Sequence, residues 1–191
     1  MGIEQPKYKE AKTFEGMLEL SQRFVDEITY IFIKDGWITQ KYNDEEPLVF
    51  PDGIKIRGLD LLIAKKGKSF FVDAKDFGKL VYIVPFGTGL PVSLVNRYKK
   101  LKQEFGRNCY LFFRDNPEVE EKYLSPFKDK ITGKYLPYGG EIDSFKEHPR
   151  SRDSAILCSW TGEIQIIWRL DSMKTIWECL EDLKQTNFFK T

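Results

Sequence analysis

The stretch from Gly58 to Phe77, GLDLLIAKKGKSFFVDAKDF, limits the fold more than any other segment of the chain. Two apolar arms, Leu59 to Ala64 and Phe70 to Val72, flank Lys65-Lys66-Gly67-Lys68. With Lys66-Gly67 as the central pair of a two-residue turn, the arms form an antiparallel hairpin in which Lys65 opposes Lys68 and Ala64 opposes Ser69. Continued down the ladder, that register sets Asp60 opposite Asp73. Opposed residues hold their Cβ atoms about 4.5–5.5 Å apart, where like charges repel. Lys75 shares the face of Asp73 by the two-residue period, so one cation stands beside two anions. A hard divalent cation such as Mg²⁺, which takes oxygen ligands and often uses one or two carboxylates, would supply the missing charge.

The flanking sequence predicts an α/β fold with a mixed sheet. From Thr13 to about Lys34, Met17, Leu20, Phe24, Ile28 and Ile31 recur at steps of three and four, the spacing of one helix face, and Asp35-Gly36 ends that helix. Trp37-Ile38-Thr39 opens a strand that runs into the polar stretch QKYNDEEPLVFPDG. After the hairpin, KLVYIV (Lys79 to Val84) reads as a strand, PFGTGLP as a loop and Val92 to Phe105 as a second helix. NCYLFF, Asn108 to Phe113, is a continuous apolar run of the kind found in strands covered on both faces, and a helix leading into such a strand predicts a crossover. Arg114 to Arg152 reads as an irregular insertion with a short helix near Glu118 to Tyr123. AILCSW and IQIIWRL flank Thr161-Gly162 as a late hairpin, and Asp171 or Ser172 is placed to cap a final helix through about Leu183. The expected organisation is one domain over residues 1–191, with a core at about 13–113, the insertion at about 114–152 and the C-terminal hairpin and helix at about 153–186.

Asp60, twelve intervening residues and then Asp73-Ala74-Lys75 form a pattern that resembles the PD-(D/E)xK nuclease superfamily, the group of restriction-endonuclease-like and Holliday-junction-resolvase-like enzymes. Leu59-Asp60 stands where the family often has Pro-Asp. The resemblance covers about the first 115 residues and implies an α-β-β-β-α-β core, similar to the order read above. It implies Mg²⁺ or Mn²⁺ as cofactor, with Asp60, Asp73 and the Ala74 backbone carbonyl as metal ligands and Lys75 orienting or activating the attacking water. Many members add a glutamate from the first helix, where Glu15, Glu19, Asp26 and Glu27 are available; Gly16-Met17-Leu18-Glu19 is most like the usual pattern, so Glu19 is taken as the further catalytic and metal-binding acid. The second helix often supplies polar or basic contacts, and here it offers Asn96, Arg97, Lys99, Lys100 and Lys102. Of these, Lys99 and Lys102 are expected to reach phosphates near the metal site, with Asn96 and Arg97 as further nucleic-acid contacts.

The activity so implied is metal-dependent hydrolysis of phosphodiester bonds in DNA by a structure-selective or junction-resolving endonuclease. Two alternatives stay open: a restriction-type endonuclease that reads sequence through the 114–152 insertion, and a module on the same fold that binds nucleic acid or protein without cutting. A homodimer would suit the cutting of two strands. Composition narrows the other classes. With 30 basic and 29 acidic residues the formal charge is +1, so a nucleic-acid site must come from local clustering. Cys109, Cys158 and Cys179, an odd number far apart with no CxxC pair, argue against a disulfide framework or a zinc ribbon and predict reduced core thiols. His148, the single histidine, lies in KEHPRSRD and is expected to be exposed and non-catalytic, and ITGKY lacks the earlier glycine and final Ser or Thr of a phosphate-binding loop. With neither a signal-peptide core nor 18 consecutive apolar residues, the expectation is a soluble, cytoplasmic protein with no membrane partner.

Overall fold

In the computed structural model, which describes residues 14–42, 48–49, 55–56, 59–75, 85–114, 124–158 and 161–185, the first apolar stripe becomes helix α1, Phe14–Lys34. Phe24, Ile28 and Phe32 of α1 are fully buried on one face of a six-stranded sheet. In chain order the strands are β1 (Ile38–Lys41), β2 (Leu48–Val49), β3 (Lys55–Ile56), β4 (Leu61–Lys65), β5 (Lys68–Lys75), β6 (Gly87–Pro91), β7 (Cys109–Phe113), β8 (Tyr138–Glu141), β9 (Gln165–Arg169) and β10 (Lys174–Thr175). The large sheet has the order β1-β4-β5-β7-β8-β10; β2 pairs with β3, and β6 with β9. Helix α2, Val92–Phe105, connects β5 to the parallel strand β7, the long crossover that parallel pairing requires. Gly106 closes α2 in the left-handed region and donates its N–H to the Lys102 carbonyl at 2.9 Å.

Strand β5 carries both cores because its side chains alternate. Phe70, Val72 and Ala74 face α1 together with Leu61, Ile63 and Phe112, and helix α3, Ile176–Gln185, completes that layer with Ile176, Cys179, Leu180 and Leu183. Phe32, Trp37, Phe70 and Phe112 meet there edge to face. Truncating a buried phenylalanine in such a cluster costs about 3–5 kcal/mol. Phe71 lies on the opposite face against Val95, Tyr98 and Leu101 of α2, and Asp73 follows it on that side.

The expected α-β-β-β-α-β order is present as α1, β1, β4, β5, α2 and β7, in a mixed sheet. Several expectations around it need correction. Gly87–Pro91 is a strand, not a loop: it pairs with β9, and at Gly89 an added Cβ would lie 2.5 Å from the Ile166 carbonyl oxygen, so glycine there permits close approach of the two backbones. The late hairpin is reduced to a Leu157–Ile164 bridge and a 2.8 Å hydrogen bond from the Cys158 N–H to the Glu163 carbonyl, because β9 pairs with β6 instead. The 114–152 segment is not a mere irregular insertion, since β8 adds to the central sheet antiparallel to β7. His148 is buried, at 3% exposure, and its Nδ1 accepts the Arg150 N–H at 2.9 Å. Cys109 and Cys179 are free buried thiols, whereas Cys158 is half-buried. The strand expected at Lys79 to Val84 and the short helix expected near Glu118 to Tyr123 lie outside the described residues. Among the described residues no helix is long and apolar enough to cross a membrane.

The final helix begins after Thr175 rather than after Asp171 or Ser172, which sit in a short 3₁₀ turn, Leu170–Ser172. The Glu178 N–H donates to Thr175 Oγ1 at 3.3 Å, and the Thr175 N–H donates to Glu178 Oε2 at 2.7 Å, a reciprocal capping box. Thr175→Ala should lower the unfolding free energy by about 1 kcal/mol in urea titration. Adding Glu178→Ala should cost less than the two single effects summed, because the pair acts as one unit.

Candidate active site

The site is set by the β4–β5 turn. Lys66 at φ +49° and Gly67 at φ +79° give the two positive φ angles of a type I′ turn, and the observed pairs run from Lys65–Lys68 to Leu61–Val72. One step further along that register lie Asp60 and Asp73. The Tyr42 N–H donates to the Asp60 carbonyl at 2.9 Å, continuing the β1–β4 ladder and holding the backbone at the first acid. The Ala74 N–H donates to Asp60 Oδ2 at 2.6 Å, so Asp60 reaches across to β5.

Asp73 is 1% exposed. Lys75 Nζ donates to Asp73 Oδ1 at 2.9 Å and lies 2.7 Å from Oδ2, and the Tyr98 hydroxyl donates to Oδ2 from α2. Burial, and next the neighbouring Asp73 charge, push the Asp60 carboxyl up to about 8, while Lys75 pulls it the other way. Asp60 therefore holds its proton far above the ordinary carboxylate range, beside the charge of Asp73. Burial first, and then the charge of Asp73, raise the Tyr98 hydroxyl well above its ordinary range, which keeps it a donor.

Tyr98 is not among the α2 residues expected at the site. Its signal is in the sequence: Val95, Tyr98 and Leu101 recur at steps of three along α2, which turns Tyr98 inward, and a buried tyrosine hydroxyl needs a partner. The same geometry turns the charged residues away. Asn96 and Arg97 are exposed. Lys99 is exposed beside a cleft of about 200 Å³ whose lining includes Asp143, Glu147 and Trp168. Lys102, expected at phosphates, is 2.5 Å from Asp143 Oδ2 and 3.3 Å from Glu141 Oε1, and the Asp143 bond chiefly raises it.

Glu19 is not brought to the aspartate pair. Its carboxylate lies on the outer flank of α1, 2.5 Å from the Arg23 guanidinium. Asp26 pairs with Lys41. Glu27 is the α1 acid connected to the site's end of the sheet: Arg114, whose N–H donates to the Lys75 carbonyl at 3.2 Å, places Nη1 2.5 Å from Glu27 Oε2. Glu15 has no described side chain. Among the described residues no third His, Cys, Asp or Glu joins Asp60 and Asp73 in a metal-sized cluster.

No family model matches the chain, and no curated protein matches it. Among solved structures, Hjc of Archaeoglobus fulgidus, a Holliday junction resolvase from an archaeal hyperthermophile, superposes with a TM-score of 0.50 at 12% identity, over 84% of this chain and 98% of that one. The likeness is one of fold: the chain has a mixed α/β, restriction-endonuclease-like architecture with a central mixed sheet.

The raised Asp60 carboxyl fixes a pH dependence for the metal-free protein. An unfolded chain releases this proton near 3.8, whereas the folded protein keeps it to about 8, so folding takes up protons between those values and stability falls as pH rises through that window. Thermal midpoints of wild type and Asp60→Asn in EDTA should diverge from pH 4 to pH 8, with the variant's curve the flatter. Parallel curves would show that Asp60 titrates normally.

Proposed function

We propose that this chain is a divalent-metal-dependent DNA endonuclease, structure-selective or junction-resolving, and that Asp60, Asp73 and Lys75 carry its chemistry. The observation that carries the reading is the adjacent carboxyl pair at one end of the sheet, with a lysine ammonium and a buried tyrosine hydroxyl fixed on the deeper acid. Perturbed acids set against specific charge partners cluster at functional sites. The restriction-endonuclease-like fold agrees with this reading.

The donor set fits a small, hard cation. Two carboxylates and the Ala74 carbonyl offer only oxygen, and Mg²⁺ is commonly held by one or two carboxylates with its remaining positions left to water and substrate phosphate. Burial and the neighbouring Asp73 charge keep a proton on Asp60, and a divalent cation would displace it. When bound, Mg²⁺ or Mn²⁺ would supply an acidified water and polarise the scissile phosphate. Tyr98 and Lys75 hold the Asp73 carboxylate in one orientation. Lys75 keeps its ammonium at the rim, with 26% of its side chain exposed, where it can position a water and offset charge developing on the phosphate. Glu19, exposed and paired with Arg23, is not part of the proposed chemistry. Cutting both strands of a duplex calls for two such sites, and a homodimer is the natural way to supply them.

Incubating the protein with linear, single-stranded, flapped and four-way-junction DNA in Mg²⁺, Mn²⁺ or EDTA tests the reading, with metal-dependent cleavage of branched substrates expected. Asp73→Asn should reduce cleavage to background while circular dichroism stays native. Lys75→Ala should lower turnover about 10²–10⁴-fold while calorimetry still detects Mg²⁺ binding. Normal cutting by the Asp73 variant would remove the pair from the mechanism. Absence of cutting on every substrate, with DNA binding intact, would leave a non-cleaving module.

A further inference from the structure

Lys75 on β5 pairs with Phe113 on β7, and Phe113 pairs with Tyr138 on β8. The start of β8 therefore lies two strands from Lys75, about 10 Å, at the same end of the sheet. It also lies on the same face, since Phe113, Tyr138 and Phe127 pack in the core layer of α2 and Tyr98. Phe127 stacks on Tyr138 with ring centroids 4.2 Å apart and planes 11° from parallel. From this anchored base residues 127–136 rise as a hairpin: the Leu136 N–H donates to the Phe127 carbonyl at 2.9 Å, Lys128 pairs with Tyr135, and the Asp129 N–H donates to the Lys134 carbonyl at 2.8 Å.

The tip is a built turn. Asp129 Oδ1 accepts the N–H groups of Ile131 at 2.9 Å and Thr132 at 2.7 Å, and the Gly133 N–H donates to the Asp129 carbonyl at 2.8 Å. Its one acid is thus engaged by backbone, while Lys130 and Lys134 stand exposed on either side of Ile131. Ile131 is 95% exposed, more than any other large hydrophobic side chain among the described residues. Isolated exposed apolar residues are ordinary. This one crowns an ordered turn between two lysines, on a hairpin whose base stands at the site's own end and face of the sheet.

We propose that the 127–136 hairpin is a DNA wedge: Lys130 and Lys134 contact phosphates of a duplex while Ile131 inserts at a base step and opens it. Apolar wedges of this kind, isoleucine included, unstack a step and kink the duplex from the minor groove. The reach is suitable. Seven residues from Tyr138 to Ile131 span at most about 24 Å, so Ile131 lies within about 34 Å of Lys75, about one turn of B-DNA. One duplex can touch both. Unstacking costs least where stacking is already broken, so the wedge would favour branched over continuous DNA. This inference rests on the nuclease reading for its substrate, and it names the device by which that site would select structure.

The test uses the full chain in EDTA with a four-way junction and a linear duplex, each carrying 2-aminopurine at the branch point or at a central step. Wild type should raise 2-aminopurine fluorescence severalfold on the junction. Ile131→Asp, at a site where folding is indifferent to the side chain, should abolish that rise and lower the junction-over-duplex preference about tenfold, a wedge being read as unstacking. Replacing Lys130 and Lys134 by Gln should reduce the slope of log K against log salt by about 1.8, at about 0.9 per phosphate contact. An unchanged fluorescence rise and preference in Ile131→Asp overturn the wedge, even if the protein cuts. Ile131-dependent unstacking by a protein that cuts nothing upholds the wedge and overturns the nuclease. No binding to DNA, or binding only to duplex RNA, overturns the wedge.

Discussion

The β4–β5 ladder is the constraint from which the rest follows. Its type I′ turn at Lys66-Gly67 sets a register in which every second residue of β5 faces α1 and the remainder face α2. A slip of one residue would move Phe70 and Val72 out of the α1 layer and turn Asp73 into it, so both cores and the acid pair depend on one turn geometry. β1 and β7 extend the same ladder on either side, and the crossover through α2 brings Tyr98 over Asp73.

That ladder places two carboxylates where an apolar pair would stabilise better. Asp73 is buried and compensated by one ammonium and one hydroxyl, while Asp60 is left to hold its proton. Burying a charge without full pairing costs stability, and acids perturbed in this way cluster at functional sites. Lys102 shows the opposite arrangement: it is held by Asp143 and Glu141 at the surface, and its charge is spent within the protein.

Residues beyond the core extend the sheet that carries the site. The segment that reads as an irregular insertion contributes a sheet strand, a buried histidine and a hairpin with an apolar tip. Its strand is short and carries two glycines, Tyr138–Glu141 reading YGGE, so it lacks the run of β-branched residues by which a strand is recognised. The same is true of Gly87–Pro91, where glycine serves close approach of two backbones and so imitates a loop.

The sequence by itself determined what local periodicity and turn chemistry control. The α1 stripe, the limits of α2 at Val92 and Phe105, the Lys66-Gly67 turn and the opposition of Asp60 and Asp73 depend on residues near one another in the chain, with apolar spacings of 3.6 or 2. Tertiary structure alone decided which distant segments meet. β9 joins β6 rather than its neighbour in sequence, α1 turns Glu19 outward and Glu27 toward Arg114, and Tyr98 rather than a lysine closes on Asp73. Strand pairing between remote segments depends on backbone hydrogen bonds that any residue can make, and the rotation of a helix about its axis depends on the whole surface it covers. Neither leaves a short-range pattern, which is why these contacts became legible only in the folded chain.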